Sequence, residues 1–290
     1  MSRPQRIVVG LDSGSSSEHA VLVAMRLAER FHGVIELVHA VEPHGFSARV
    51  SPEDLAAAQR AVRLRLEGSL PGALFAAVDK PHQLVVQAGH AAAVLLERAA
   101  IAGTGLLVLG GHRRKGLLDL HKTAHLVMSR AECPVWTQAG PVRDVDSILV
   151  PVDLSEESLR ALACATAWAA ALGARLTVLH CFVAPEMYGG HPQVGPTYVL
   201  DSLSDDARQA FDDALAAHDW QGVVHAAVFH EGDPAGQVLA LQDDVDLVMM
   251  GTHGRTGLAG VILGNVAQRV LREAHVPVVT MRSPGRTWLL

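Results

Sequence analysis

The chain repeats itself, and this duplication constrains its fold more than any other feature. Residues 7–42, IVVGLDSGSSSEHAVLVAMRLAERFHGVIELVHAVE, align without a gap with residues 148–183, ILVPVDLSEESLRALACATAWAAALGARLTVLHCFV, at an offset of 141. The later landmarks pair as well: Gly89 with Gly232, Gly110 with Gly251, and Pro134 with Pro277. A repeat of about 140 residues is too long for a solenoid unit and indicates a duplicated domain.

Each half alternates short apolar runs with longer stretches of helical periodicity. Runs such as IVVGL, VIELVHA, LLVLG and CPVWT are typical of buried strands. A helix face of small side chains recurs in both halves, at Ala20, Ala24 and Ala28 and again at Ala161, Ala165 and Ala169. Buried strands alternating with helices predict a parallel sheet covered on both faces. We therefore predict two tandem α/β domains, 1–140 and 145–285, each a doubly wound sheet of five parallel strands, joined by the polar linker 138–146.

Composition and charge exclude several classes of protein. The formal net charge of −6 argues against general affinity for nucleic acid or for an anionic membrane. No run approaches the roughly 18 apolar residues of a membrane span, and the N-terminal sequence MSRPQRIVVGLDSG lacks the apolar region of a secretion signal. The three cysteines form no disulfide framework and no C-x-x-C motif. We therefore expect a cytoplasmic protein, and we predict no metal site.

A glycine-rich loop follows the fourth predicted strand of the second half. The stretch GTHGRTGLAGVILGNV, residues 251–266, spaces Gly251, Gly254 and Gly264 as G-x2-G-x9-G and ends in Asn265. In open parallel sheets ligands bind beyond the carboxyl ends of the strands, where the strand order reverses, so we expect this loop beside Asp153 at the end of the first strand. Glycine lets the backbone approach a ligand, and free N–H groups together with a helix N-terminus suit a phosphate. A turn that merely connects strand to helix remains the alternative.

This loop, with an Asp ending the first strand and a Pro opening the last strand VPVVT, resembles the universal stress protein family in its tandem-domain form. The resemblance implies a flavodoxin-like domain that binds ATP, with or without Mg²⁺, and serves stress or dormancy signalling. It also implies the binding residues. They are Pro151 and Asp153 toward the nucleoside, Cys181 and Phe182 at the adenine, Met250 and Gly251 beside the ribose, and His253, Gly254, Gly264, Asn265, Val266 and Ala267 around the phosphates.

The first half departs from this pattern. Asp12 and Gly110 remain, but Arg113 stands where the second half has Gly254. Counting back from the shared proline, His121 and Lys122 fall opposite Gly264 and Asn265, so the first loop is two residues shorter. We predict that the first half binds no ATP in the family manner and that its loop has been released to packing or to another ligand. The basic residues 113–115 could instead attract an anion by charge alone.

Function and assembly follow from these features as expectations. The leading hypothesis is an ATP-binding regulatory protein with an unidentified signalling partner. A slow ATPase or nucleotide-dependent phosphotransferase is the alternative from another class. It comes second because no residue stands out as a general base. A scaffold with a structural ligand is the third hypothesis. The last strand of each half exposes an unpaired edge, so we predict that the halves pair through these strands as a pseudo-dimer, with a homodimer of chains as a further expectation.

Three smaller predictions concern single residues and one segment. His39 and His180, at the ends of the second strands, are expected to bond the sheet edge rather than to catalyse. Cys181 is expected to be a packing residue rather than a redox-active thiol. The Gly- and Pro-rich segment 184–209 is predicted as a loop, either a flap over the nucleotide or a plain surface loop.

Overall fold

The structure, a computed structural model, describes residues 6–12, 16–43, 49–78, 83–101, 103–111, 113–114, 117–118, 122–184, 197–253 and 263–282. In the first half these form β1 (Arg6–Leu11), α1 (Ser16–Arg30), β2 (Val34–Val41), α2 (Pro52–Ser69), α3 (Gly72–Val78), β3 (Leu84–Ala88), α4 (Ala91–Ala100), β4 (Thr104–Gly110), β5 (Arg113–Arg114), β6 (Leu117–Leu118), α5 (Lys122–Arg130) and β7 (Val135–Gln138). The second half forms β8 (Ser147–Val152), α6 (Glu156–Leu172), β9 (Arg175–Phe182), α7 (Thr197–Ala216), β10 (His225–Glu231), α8 (Pro234–Ala240), the short 3-10 helix Gln242–Asp244, β11 (Leu247–Gly251), α9 (Asn265–Glu273) and β12 (Val278–Met281).

Both halves contribute to one ten-stranded sheet in the order β10-β9-β8-β11-β12-β7-β4-β1-β2-β3. Within this sheet, every strand pair inside one half is parallel, as predicted. If the five sheet strands of each half are numbered 1 to 5 along the chain, both halves have the strand order 3-2-1-4-5. This is the order of the dinucleotide-binding sheets, whereas flavodoxin itself has 2-1-3-4-5. Its switch point lies between the first and fourth strands, which is where the sequence places the crevice.

The two halves join through their last strands, as the exposed edges predict. β7 and β12 pair antiparallel, with Trp136 opposite Val279 and Val135 opposite Thr280. Trp136 and Val279 are also equivalent positions of the duplication, so a pseudo-two-fold axis passes between them. In this register Val278 is the diagonal neighbour of Val135, and the two share one core cluster.

The core forms two layers, one on each side of the continuous sheet. One layer contains α1 and α6, whose small faces lie against the strands with Ala20, Ala24, Ala161, Ala165 and Ala169 fully buried. The other layer contains α4, α5, α8 and α9. The first layer runs without interruption across the junction of the halves, since side chains of both belong to a single cluster. The halves therefore share a core in addition to a strand pair.

Aromatic side chains fill the middle of this shared layer. Trp168 on α6 stacks on Trp136 of β7 with ring centroids 6.0 Å apart and also touches Phe31 of the first half at 5.9 Å. Both indoles are fully buried. The pseudo-symmetric counterparts of Trp168 and Trp136 are Leu27 and Val279, so the duplication has become asymmetric at its own junction.

A loop was predicted over residues 184–209, and this prediction was wrong from Thr197 onward. α7 begins at Thr197, and residues 185–196 lie outside the described part of the chain. Apolar side chains recur every four residues of α7 at Ala207, Phe211 and Leu215. The side chain of Phe211 is fully buried. An apolar face with this spacing stabilises a helix when it can pack against a sheet. The glycines and prolines that precede this helix obscured the pattern in the sequence. Across the described residues, no helix has both the length and the apolar composition needed to cross a membrane.

Candidate functional site

The strand ends that carry the predicted site residues lie together at the switch point of the second half. β8 pairs with β9 on one side and with β11 on the other, so these three strands end at the same edge of the sheet. Pro151 and Asp153 lie at the end of β8, Cys181 and Phe182 at the end of β9, and Met250 and Gly251 at the end of β11. Gly254 lies outside the described residues. Parallel strands, which all point the same way, bring these distant residues together.

Asp153 organises the turn from β8 into α6. Its Oδ1 accepts hydrogen bonds from the Ser155 hydroxyl at 2.6 Å and the Ser155 N–H at 3.1 Å. Ser155 in turn caps α6 by accepting from the Ser158 N–H, as its position before two acidic residues suggests. Leu154, between them, adopts a left-handed backbone with φ of 66°. A left-handed conformation in a residue other than glycine is strained and concentrates at functional sites, where surrounding contacts enforce it.

Two histidines, the buried His180 and the half-buried His39, tie neighbouring strand ends together. His180 Nδ1 lies 2.7 Å from the carbonyl of Val152, and His39 Nδ1 lies 2.9 Å from the carbonyl of Leu11. His180 also packs against the rings of Phe211 and Phe229. These contacts are the structural role predicted for both histidines, repeated at equivalent positions of the two halves.

The glycine-rich loop is closed at its base. The Gly264 N–H donates to the Thr252 carbonyl at 2.7 Å, so the end of the loop returns to its beginning, and the Thr252 N–H donates to the Met281 carbonyl at 2.9 Å. A Cβ on Gly264 would lie 3.1 Å from the Thr252 oxygen, and a Cβ on Gly251 would lie 3.0 Å from Cγ of Glu157. Both contacts are tighter than ordinary van der Waals packing. Close approach therefore favours glycine at both positions, most strictly at Gly264, where the neighbouring atom belongs to the backbone.

The helix that follows this loop begins with open N–H groups. α9 starts at Asn265 after Gly264, and within the described residues no side chain caps it. By contrast, Ser155 caps α6 and Asp233 caps α8 through the N–H groups of Ala235 and Gly236. The first-turn N–H groups, those of residues 265–267, have no acceptor inside the helix. They form a ready site for an anion at the positive end of the helix dipole.

Sequence reasoning missed two polar residues of this region. Glu157 Oε1 accepts from the Thr252 hydroxyl at 2.8 Å and from the His253 N–H at 2.7 Å, and Oε2 lies 3.7 Å from His253 Nδ1. Neither Glu157 nor Thr252 is among the binding residues that the sequence predicts. A comparison of the two halves could have found them. The first half has Ser16 at the position of Glu157 and Gly111 at the position of Thr252.

The surroundings of the half-buried Cys181 thiol disfavour its thiolate form. Burial, with a smaller contribution from the Asp233 carboxylate, raises the pKa of the Cys181 thiol to about 11. At pH 7.5 only about one such thiol in three thousand is ionised, against roughly one in ten to thirty for an unperturbed cysteine.

We therefore predict that iodoacetamide alkylates Cys181 about 100-fold more slowly than it alkylates glutathione at pH 7.5, because the thiolate is the reacting species. Peptide mass spectrometry of the native protein over time measures this rate, and a Cys181→Ser variant identifies the modified peptide. Alkylation as fast as that of glutathione would contradict a packing role for this residue.

The corresponding loop of the first half follows another path. Its start is equivalent, since the Gly111 N–H donates to the Gln138 carbonyl at 2.8 Å as Thr252 does to Met281. The chain then forms the short antiparallel pair of β5 and β6, and β6 lies near α9 of the second half. α5 begins at Lys122, opposite Asn265 as the shorter loop predicted. In the first half a short hairpin thus stands where the second half has its glycine-rich segment.

A separate cavity of about 310 Å³ lies where the linker meets both halves. Trp136, Pro141, Val145 and Pro277 are among its walls. It lies at the amino ends of β11 and β12, the opposite edge from the glycine-rich loop, so we do not assign it to the nucleotide. Among the described residues no group of three or more potential metal ligands comes together.

A doubly wound parallel sheet with strand order 3-2-1-4-5 defines an α/β domain of the dinucleotide-binding type of topology, and this sheet is present here in two copies. The model of the universal stress protein family matches residues 4–137 and again residues 145–282. The chain belongs to the universal stress protein family.

Relatives exist in both the tandem and the single form. A universal stress protein of Mycolicibacterium smegmatis is 28% identical over 295 residues, covering 95% of this chain and 96% of the relative. One of Thermus aquaticus is 33% identical over 139 residues, which is 47% of this chain but 98% of the relative. The crystal structure of a universal stress protein from Archaeoglobus fulgidus has a TM-score of 0.66 at 18% identity, covering 96% of this chain and 98% of its own. The last of these supports the fold over the whole chain.

Proposed function

We propose that this chain is an ATP-binding regulatory protein of the stress response, with the nucleotide held by the G-x2-G-x9-G-N loop of the second half. One observation carries the proposal: the uncapped N-terminus of α9 stands at the end of a loop whose base is closed by the bond from Gly264 to Thr252. Three consecutive N–H groups without intrahelical acceptors are a phosphate site. The anchored Asp153 and the ends of β9 and β11 surround the space beside it for the nucleoside.

Binding rather than turnover is the activity that this arrangement supports. The loop and the helix end supply donors for phosphate oxygens, which stabilise a bound anion. The Asp153 Oδ1 atom is engaged by Ser155, and Glu157 is engaged by the loop itself. Neither carboxylate is thus set up as a base for an attacking water. Incubation with ATP and Mg²⁺, followed by product analysis, separates binding from slow hydrolysis or phosphotransfer.

Calorimetric titration of the purified protein with ATP is expected to give about one nucleotide per chain, because only the second half keeps the loop and the open helix end. The hairpin of β5 and β6 occupies the equivalent place in the first half. AMP and cyclic AMP, titrated in parallel, identify the preferred adenine compound. Two sites per chain, one of them lost in Asp12→Ala, would show that the first half also binds nucleotide.

A further inference from the structure

The first turn of α6 carries a buried carboxylate that the proposed phosphate contacts do not explain. Glu157 is the second residue of α6, and its side chain is only 11% exposed. It points into the protein, onto the start of the glycine-rich loop. Its neighbour Glu156 faces solvent and pairs with Arg160 one turn later at 2.6 Å. Two successive glutamates therefore have different environments, and only the inner one reaches the site.

Burying this carboxylate requires compensation. A carboxylate taken out of water is costly unless donors replace its hydration. Among the described contacts, Glu157 accepts from two such donors, the Thr252 hydroxyl and the His253 N–H, and it lies at the positive end of α6. Hydrogen bonds to a charged acceptor are roughly twice as strong as neutral ones. The arrangement therefore fixes the backbone of residues 252–253 firmly relative to α6.

The same helix turn also holds the other wall of the crevice. Ser155, which caps α6, is bonded to Asp153 at the end of β8. Two residues later Glu157 is bonded to Thr252 and His253, just after the end of β11. The first turn of α6 thus connects the two strand ends between which the sheet order reverses. Gly251 permits this connection, since any side chain there would meet Glu157.

The duplication provides an internal comparison. At the positions of Glu157 and Thr252 the first half has Ser16 and Gly111, so it lacks both the acceptor and the hydroxyl donor. After Gly111 its chain enters the hairpin instead of a glycine-rich loop. The carboxylate and its donors therefore occur in the half that keeps the proposed site and are missing from the half that has lost it.

We propose that Glu157 is the positioning residue of the nucleotide loop. It holds residues 252–253 in place before any ligand is present, so that this end of the loop meets the phosphates without reordering. Because an ordered loop loses less conformational freedom on binding, this contact strengthens affinity without touching the ligand. The inference rests on the proposed function of the same loop.

The test compares ATP affinity and loop order in three variants. Glu157→Ala removes both hydrogen bonds, and we expect ATP to bind about 10- to 100-fold more weakly as the loop becomes disordered. Glu157→Gln keeps an oxygen that can accept from the His253 N–H, and we expect affinity within about fivefold of the wild type. Glu156→Ala is the matched control, since it removes the same charge from the same helix turn on the solvent side. Its affinity is expected to be unchanged.

Amide hydrogen exchange of His253, measured by NMR without nucleotide, gives a readout independent of ligand. We expect slow exchange in the wild type, Glu156→Ala and Glu157→Gln, and faster exchange in Glu157→Ala. Wild-type ATP affinity in a folded Glu157→Ala variant, equal loss in the Gln and Ala variants, or unchanged His253 exchange would each overturn the proposal. If Glu157→Ala does not fold, Thr252→Val removes one of the two donors and is expected to weaken ATP binding about threefold to tenfold.

These measurements also separate the two proposals. A wild-type protein that binds no adenine nucleotide refutes the proposed function. Protection of the His253 amide by Glu157 would then still show that Glu157 orders residues 252–253. If that protection were also absent, both proposals would be refuted.

Discussion

Replacing Trp168 by alanine is expected to lower the free energy of unfolding by about 3–5 kcal/mol, the range measured for deletion of large buried aromatic side chains. Trp168 is fully buried and belongs to α6 of the second half, yet its ring stacks on Trp136 and touches Phe31 of the first. The substitution leaves a cavity in the shared layer where the halves meet. For a chain of this size we expect the melting temperature to fall by roughly 6–20 °C.

Urea denaturation followed by circular dichroism measures this change, and Trp220→Ala is its control. Trp220 lies near the surface of the second half and stacks on His225, away from the junction, so its loss should cost much less. Because the cavity lies between the halves, we also expect Trp168→Ala to broaden unfolding or divide it into two transitions. A single transition shifted by less than about 1 kcal/mol would show that the halves do not depend on this contact.

Gly264→Arg is expected to weaken ATP binding by about 2–4 kcal/mol, or roughly 30- to 1,000-fold. The Gly264 N–H closes the base of the loop, and a Cβ at this position would lie 3.1 Å from the Thr252 carbonyl. The arginine side chain must therefore displace the loop from the start of α9. Asp153→Ala is expected to have a similar effect through a different route, because it releases Ser155 and with it the turn into α6.

Isothermal titration calorimetry of both variants tests this prediction, and the duplication supplies the matched control. Asp12→Ala is the equivalent substitution in the first half, where the Ser17 hydroxyl donates to the carboxylate at 2.7 Å. It should leave both ATP affinity and stoichiometry unchanged. Wild-type affinity in both Gly264→Arg and Asp153→Ala, with folding verified by circular dichroism, would reject this crevice as the nucleotide site.

The pairing of the halves could be predicted from the sequence because it depends on backbone groups. CPVWT and VPVVT end their halves as apolar edge strands, and an unpaired edge requires a partner. Pro134 and Pro277 lie just before β7 and β12, where a missing N–H costs nothing, and their carbonyls accept from Leu107 and Val248 at 3.0 Å each. The duplication then places Trp136 opposite its own counterpart, Val279, as a two-fold axis requires.

The convergence of the strand ends at the switch point was predictable in outline for a similar reason. Asp153, Gly251 and Gly264 are far apart in sequence, but strand ends at a switch point must converge, and glycine spacing reports where the backbone approaches closely. The inward course of Glu157 was not predictable. Glu156 and Glu157 are chemically identical, and helix phase relative to the sheet decides which of the two is buried.

The sequence by itself determined the duplicated α/β fold, the strand end at which the glycine-rich segment begins and the departure of the first half from the glycine pattern. These features depend on local periodicity, backbone freedom and turn chemistry, which are written in consecutive residues. Only the tertiary structure decided the strand order within each half, the helix from Thr197 and the insertion of Trp168 into the first half. It also decided the contact of Glu157 with Thr252 and His253. Each of these depends on which surfaces meet in space, and side-chain packing between distant segments leaves no periodic signal in a single chain.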